Sequence, residues 1–225
     1  MNWILVSFLM ILTGNPILAL ILILVFYGVL DRQYFGFFPQ ISQWVKRRQE
    51  ISRLLTTLSI NPNDLSARLA LGRAYVINRE PEKAVPHLEP AFERMKEMPD
   101  VHYYLGRAYL KTGQAEKGKA LILKTIEMDP RFQYGEPYLR LGEYCLSVGD
   151  FEKARELLET FCSIHTSSSE GFYHLGQAHL GLGNKTKAAE SFKKSIEVYK
   201  ISPRYKRQID RKWAWKSRKT MVTTL

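Results

Sequence analysis

The first thirty positions, Met1 to Leu30, hold no charged side chain. Two apolar runs, Trp3–Thr13 and Ile17–Leu30, are separated by Gly14-Asn15-Pro16. Further on, apolar positions form short stripes broken by turn residues. Gln43–Ser59 reads as a helix with Trp44, Ile51, Leu54, Leu55 and Leu58 on one stripe. Ile60-Asn61-Pro62-Asn63-Asp64 ends it, and Asn63 or Asp64 can cap the next helix. Helices then come in pairs. First helices are expected near 66–78, 100–112, 136–148 and 170–182, and second helices near 81–96, 115–128, 151–164 and 185–199. The turns inside the pairs carry Asn78–Pro81, Thr112-Gly113, Val148-Gly149-Asp150 and Leu182-Gly183-Asn184.

The pairs repeat. Leu71-Gly72-Arg73-Ala74-Tyr75 returns as Leu105-Gly106-Arg107-Ala108-Tyr109, Leu141-Gly142-Glu143-Tyr144-Cys145 and Leu175-Gly176-Gln177-Ala178-His179, with the glycines 34, 36 and 34 residues apart. Glycine costs roughly 1 kcal/mol in a helix interior. Four glycines at one phase therefore point to close helix approach. Twelve residues after each stands a small residue (Ala84, Gly118, Ala154, Ala188), and sixteen after a large apolar one (Leu88, Ile122, Leu158, Phe192). With this period and core, Gly72 through Phe192 resembles the tetratricopeptide repeat family. Arg68 and His102 depart from the aromatic that Tyr138 and Phe172 supply, and Cys145 and His179 depart from the tyrosine. The resemblance implies an all-α, right-handed α-solenoid of about four helix pairs, with repeats over 65–98, 99–132, 135–168 and 169–202. The two extra residues of the third period fall around Arg131–Glu136, in a loop. Residues 43–62 are expected to form an N-terminal capping half-repeat and 200–225 a basic C-terminal capping helix and tail.

Residues 1–30 are expected to meet a membrane. As one helix they would measure about 45 Å against a hydrocarbon core of about 30 Å. A single span kinked at Pro16 fits, and so does a hairpin turning at Asn15-Pro16. A cleaved signal peptide does not fit, because the basic leader and small-residue cleavage site are missing. Over 31–49 the aromatics Tyr34, Phe35, Phe37, Phe38 and Trp44 precede Lys46, Arg47 and Arg48. Aromatics favour the headgroup level, and the positive-inside rule puts the solenoid on the cytoplasmic side of a cell (inner) membrane.

The net charge is +11, all of it carried beyond residue 30. Cys145 and Cys162 stand at apolar positions and read as buried free thiols. His87, His102, His165, His174 and His179 are scattered over different helices, and no phosphate loop, nucleophile motif or metal-ligand spacing accompanies them. Neither an enzyme nor a cofactor is expected.

What remains is surface. In the resembled family the first helix of each pair lines a concave groove, and Tyr and Arg are the side chains enriched at binding hot spots. The candidate groove residues are Arg73, Tyr103, Tyr104, Arg107, Lys111, Arg140, Tyr173, His174 and Gln177. They suit a protein or peptide partner carrying acidic and apolar residues. The lysine/asparagine clamp of chaperone-binding members is not reproduced. In the tail, nine cations from Lys200 to Lys219 stand against Asp210 alone. Tyr205, Ile209 and Trp213, at spacing four, are expected to cover the last repeat. The charge excess, with Lys206, Arg207, Arg211, Lys212 and Lys216 as candidates, suits anionic lipid; nucleic acid is the weaker alternative.

The leading functional expectation is a membrane-anchored scaffold that seats a partner in its groove, similar to bacterial inner-membrane tetratricopeptide proteins. The alternatives are lipid or nucleic-acid binding through the tail, and an organelle-surface receptor with an N-terminal anchor.

Overall fold

The computed structural model describes Gly14, Asn15, Ile17, Leu18, Ile21, Leu22, Val25 and residues 37–224. Most of the expected membrane segment and juxtamembrane aromatics lie outside the described residues. Within it, Asn15 Oδ1 accepts from the backbone N–H groups of Ile17 at 2.9 Å and Leu18 at 3.4 Å. Asn15 thus caps a helical stretch, and the described apolar residues of that stretch are exposed. Among the described residues no helix is long and apolar enough to cross a membrane.

The described helices are α1 (Phe37–Ile60), α2 (Leu65–Ile77), α3 (Pro81–Arg94), α4 (Pro99–Lys111), α5 (Ala115–Met128), α6 (Glu136–Val148), α7 (Phe151–Ile164), α8 (Ser169–Gly181), α9 (Lys185–Ile201) and α10 (Arg204–Thr224). A 3-10 turn, Phe132–Gly135, precedes α6. The chain divides into two compact units, 1–52 and 53–225, with the boundary inside α1. No strand occurs among the described residues.

Local chemistry sets the helix boundaries in the second unit. Asp64, Asp150 and Ser168 cap α2, α7 and α8 by accepting from Ala67, Lys153 and Gly171 backbone N–H groups. Prolines open α3, α4 and α6, where a missing N–H costs nothing. Gly149, at φ +81°, ends α6 in the left-handed conformation.

The pairs α2–α3, α4–α5, α6–α7 and α8–α9 each pack around one crossing. A Cβ added to Gly72, Gly106, Gly142 or Gly176 would come within 2.3, 2.8, 2.8 or 2.5 Å of Leu88, Ile122, Leu158 or Phe192 respectively. The large apolar residue sixteen places on therefore sits directly over each glycine. All four are fully buried. At the small position, three pairs carry alanine and the second carries Gly118. Its added Cβ would lie 2.8 Å from both the Gly106 carbonyl oxygen and the Leu110 nitrogen. In α4–α5, backbone meets backbone.

Cys145 and Cys162 are free and buried in the core of the third pair. Burial pushes the Cys162 thiol up to about 12, so it stays protonated and unreactive. Where His102 replaces the expected aromatic, it stacks edge-on against Phe92 at 5.0 Å, and its Nε2 lies 2.7 Å from the Lys96 carbonyl oxygen.

The terminal helix α10 covers the fourth pair through Trp213, as its spacing predicts, but not through Tyr205 and Ile209. Tyr205 and Ile209 are exposed, at 79% and 58% of their surface, and the buried face runs through Asp210, Trp213, Ala214 and Ser217. Polar contacts set this rotation. Asp210 Oδ2 accepts from Ser202 Oγ at 2.9 Å, and Lys206 Nζ donates to the Ser167 carbonyl. Asp210, the only acidic residue of the helix, is turned inward by the first of these bonds.

Candidate partner-binding groove

The first helices α2, α4, α6 and α8 present one continuous face, and α10 follows them at its end. The structure changes how much of this face is open. Tyr103 and Tyr104, expected as exposed anchors, are 0% and 2% exposed. The two-residue enlargement of the spacing between the second and third repeats accounts for this. It forms the 3-10 turn, in which Gln133 and Tyr134 take left-handed conformations at φ 45° and 59°. Phe132 packs edge-on against Tyr103 with ring centres 5.2 Å apart. Gln133 Nε2 donates to the Tyr104 hydroxyl at 2.9 Å. The tyrosines thus become support for the arginines. The guanidinium of Arg73 stands 5.7 Å over the Tyr104 ring and that of Arg107 5.4 Å over Tyr103. We expect Tyr104→Phe to cost about 1 kcal/mol, the worth of one neutral hydrogen bond, in urea unfolding.

Arg140 lies on the groove floor with its charge already matched. Its Nε and Nη2 are 2.8 and 2.6 Å from Glu136 Oε1, and its Nη1 is 2.7 Å from Glu143 Oε2 and 3.1 Å from Glu170 Oε1. Burial works against the charged guanidinium, but the three carboxylates more than offset it, and its proton is held more tightly than usual. Burial likewise pushes the Glu143 carboxyl up, while His174 and Arg140 beside it prevail and hold it down at about 2. His174 Nε2 is 3.1 Å from Glu143 Oε1, an ion-pair distance off the line of a hydrogen bond. Ligand atoms of Glu143, Glu170 and His174 come within 4.8 Å of one another, a spacing that could suit a metal ion. Arg140 Nη1 bonds both carboxylates, so the guanidinium is the cation of this cluster. Hot-spot composition selects Arg140 from the sequence, groove position adds His174, and the three glutamates are passed over. Their signal is charge complementarity at groove positions of neighbouring repeats.

The far end of the face is covered. Trp213 of α10 packs 5.3 Å from Tyr173 and 5.0 Å from His174, ring centre to ring centre. Lys212 and Lys216 stand 4.4 and 4.7 Å over the Trp213 ring. Gln177 is half-buried. Arg207 donates to the backbone carbonyls of Lys200 and Ser202, and Arg211 is exposed.

Between these closed parts lies a cleft of about 780 Å³. Val76, Ile77 and Leu110 supply its apolar wall, and Arg79, Arg107, Lys111 and Lys212 stand around it. None of these four cations is ion-paired among the described residues. The cleft therefore combines an apolar strip and four cations outside ion-pair distance of any described acid with Glu82 and a floor on which Glu136, Glu143 and Glu170 outnumber Arg140.

Paired helices stacked around glycine crossings, with a cleft on the first-helix face, define a helical-repeat solenoid. Residues 76–135, 135–160 and 169–201 match three family models, each described as tetratricopeptide repeat. Together they place the repeats of this chain in the tetratricopeptide repeat family. Among solved structures, MamA is similar with a TM-score of 0.59 at 25% identity, over 67% of this chain and 86% of that one. TTC0263 of Thermus thermophilus, a thermophilic TPR protein, aligns with a TM-score of 0.64 at 16% identity, over 81% and 94%. YrrB, a TPR protein described as having an unusual peptide-binding site, aligns with a TM-score of 0.58 at 19% identity, over 83% and 90%. No curated protein matches the sequence.

Proposed function

We propose that the chain is a membrane-held scaffold that seats an acidic, partly apolar segment of a partner protein in the cleft between α2, α4 and α6. The observation that carries this reading is the set Arg79, Arg107, Lys111 and Lys212, cations without ion-pair partners around an apolar strip. A partner carboxylate would complete them, and its apolar side chains would cover Val76, Ile77 and Leu110. The peptide-binding site described for YrrB agrees with this use of the fold. The charge-free stretch Met1–Leu30 and the exposed apolar residues Ile17, Leu18, Ile21, Leu22 and Val25 support a membrane position. Lys46, Arg47 and Arg48 support a cytoplasmic solenoid.

A photoreactive residue replacing Lys111 should crosslink a discrete partner in intact cells, and Arg107→Glu should remove that product. One replacing Leu123, exposed on the second-helix side, should not give it. The same product from position 123, or its persistence in the Arg107→Glu chain, would transfer binding away from this cleft.

A further inference from the structure

The outer face of α10 carries exposed cations with no exposed acid among them. Along the second helices and their ends, cations share the surface with acids: Lys83 pairs with Glu80, Lys96 with Glu93, Lys119 with Glu116, Lys153 with Glu156 and Lys194 with Glu197, and α9, where Lys185, Lys187 and Lys193 are in no ion pair among the described residues, still exposes Glu190 and Glu197. That is how a solvated helix face is ordinarily built. On α10, seven exposed cations, Arg204, Arg207, Arg211, Lys212, Lys216, Arg218 and Lys219, share the surface with no acid, because Asp210 is buried. Arg204, Lys216, Arg218 and Lys219 have no carboxylate within ion-pair distance among the described residues.

The same face carries large apolar side chains that a cap has no need to expose. Trp215 is 60% exposed and Val222 87% exposed. At 100° per residue, Arg204, Arg211, Trp215, Arg218, Lys219 and Val222 fall on one stripe opposite Asp210, Trp213 and Ser217. The stripe runs about 27 Å at 1.5 Å per residue. Lys219 Nζ stands 5.5 Å over the Trp215 ring, so cation and aromatic form one patch.

The geometry points to the outer face of α10 as a docking surface for an anionic lipid bilayer. The cations would meet lipid phosphates and carboxylates, Trp215 would sit at headgroup depth, and Val222 would enter the acyl boundary. A flat, single-helix face suits a planar anionic surface. Aliphatic Val222 has use there, while a nucleic-acid strand would call for a groove and stacking platforms. The inference depends neither on the cleft nor on the N-terminal segment, and it can fail without them.

The test uses the full chain and vesicles of phosphatidylcholine bearing brominated acyl chains, with or without phosphatidylserine. The signal of Trp215 is the emission difference between the natural chain and Trp215→Phe. We expect quenching of that signal on the phosphatidylserine vesicles alone. It should be lost at about 1 M salt, where the screening length falls to about 3 Å. It should also be lost in an Arg204→Glu, Arg218→Glu, Lys219→Glu variant whose melting curve is unchanged, while Lys111→Glu in the cleft leaves it intact. Absence of quenching, equal quenching on neutral vesicles, survival at high salt, or tighter binding of single-stranded RNA than of anionic vesicles at matched salt would each overturn the inference.

Discussion

Gly106→Leu is expected to destabilise the solenoid by about 3 kcal/mol, the upper end of the cost of overpacking a core. The first added carbon would already lie 2.8 Å from Ile122 Cγ1 and 3.0 Å from the Gly118 carbonyl oxygen. A flexible side chain could turn aside from the first contact. The carbonyl cannot move without parting α4 from α5, and Gly118 holds these two helices backbone against backbone. For a chain of this size the loss corresponds to roughly 6–12 °C in the melting midpoint. Thermal unfolding followed by circular dichroism measures it. Ile122→Ala should give back part of the loss in the double variant, since both changes act on one crossing. A strictly additive pair would show that the glycine and the isoleucine do not share the space assigned to them.

Arg140→Met is the second large effect. It leaves Glu136, Glu143 and Glu170 facing one another without their cation. We expect a loss of about 3 kcal/mol at neutral pH, the lower end for removing one member of a buried ion pair. The lower end applies because Arg140 keeps 22% of its side-chain surface. The pH dependence separates this from lost packing. In the natural chain Glu143 is held down at about 2, below its ordinary value near 4.3. Its contribution is therefore complete above the ordinary value and is lost as pH falls toward about 2. Without Arg140 the sign reverses. Crowded carboxylates hold protons more tightly than in the unfolded chain, so the variant should be relatively more stable near pH 5 than at pH 7.5. Melting curves of both chains at the two pH values decide it, and a deficit that does not change with pH would leave only the packing of the methylene stem.

The fold was legible in the sequence wherever a residue type has one physical use at its position. A glycine recurring inside a helix means close approach, and Leu88, Ile122, Leu158 and Phe192 fill the space above each one. The groove was legible in its register, since Arg73, Arg107 and Lys111 keep an open side. It was not legible in its depth. Nothing in Tyr103 or Tyr104 announces that an enlarged turn thirty residues on will fold over them, because turn length shows in a sequence while turn direction depends on backbone conformations at Gln133 and Tyr134. The rotation of α10 was missed for a related reason. A stripe of Tyr205, Ile209 and Trp213 looks like a buried face by hydrophobicity alone; Trp213 is buried, yet Asp210, bonded to Ser202, takes the inner face beside it and leaves Tyr205 and Ile209 exposed.

The Arg140–Glu170 bridge ties α6 to α8, and Trp213 lies over Tyr173 and His174 of the latter helix. Cooperativity in a stacked array is carried by the interfaces between neighbours. The third and fourth pairs and α10 should therefore open as one block, their amide hydrogens exchanging together and late. The pair α2–α3 stands outside that bridge and should exchange earlier and separately. Arg107 belongs to α4 and Arg140 to the late-opening block, and both line the same cleft. A ligand seated there would reach from one cooperative unit into the next, so its arrival should register as slower exchange throughout α2 and α4, including amides beyond the residues that line the cleft.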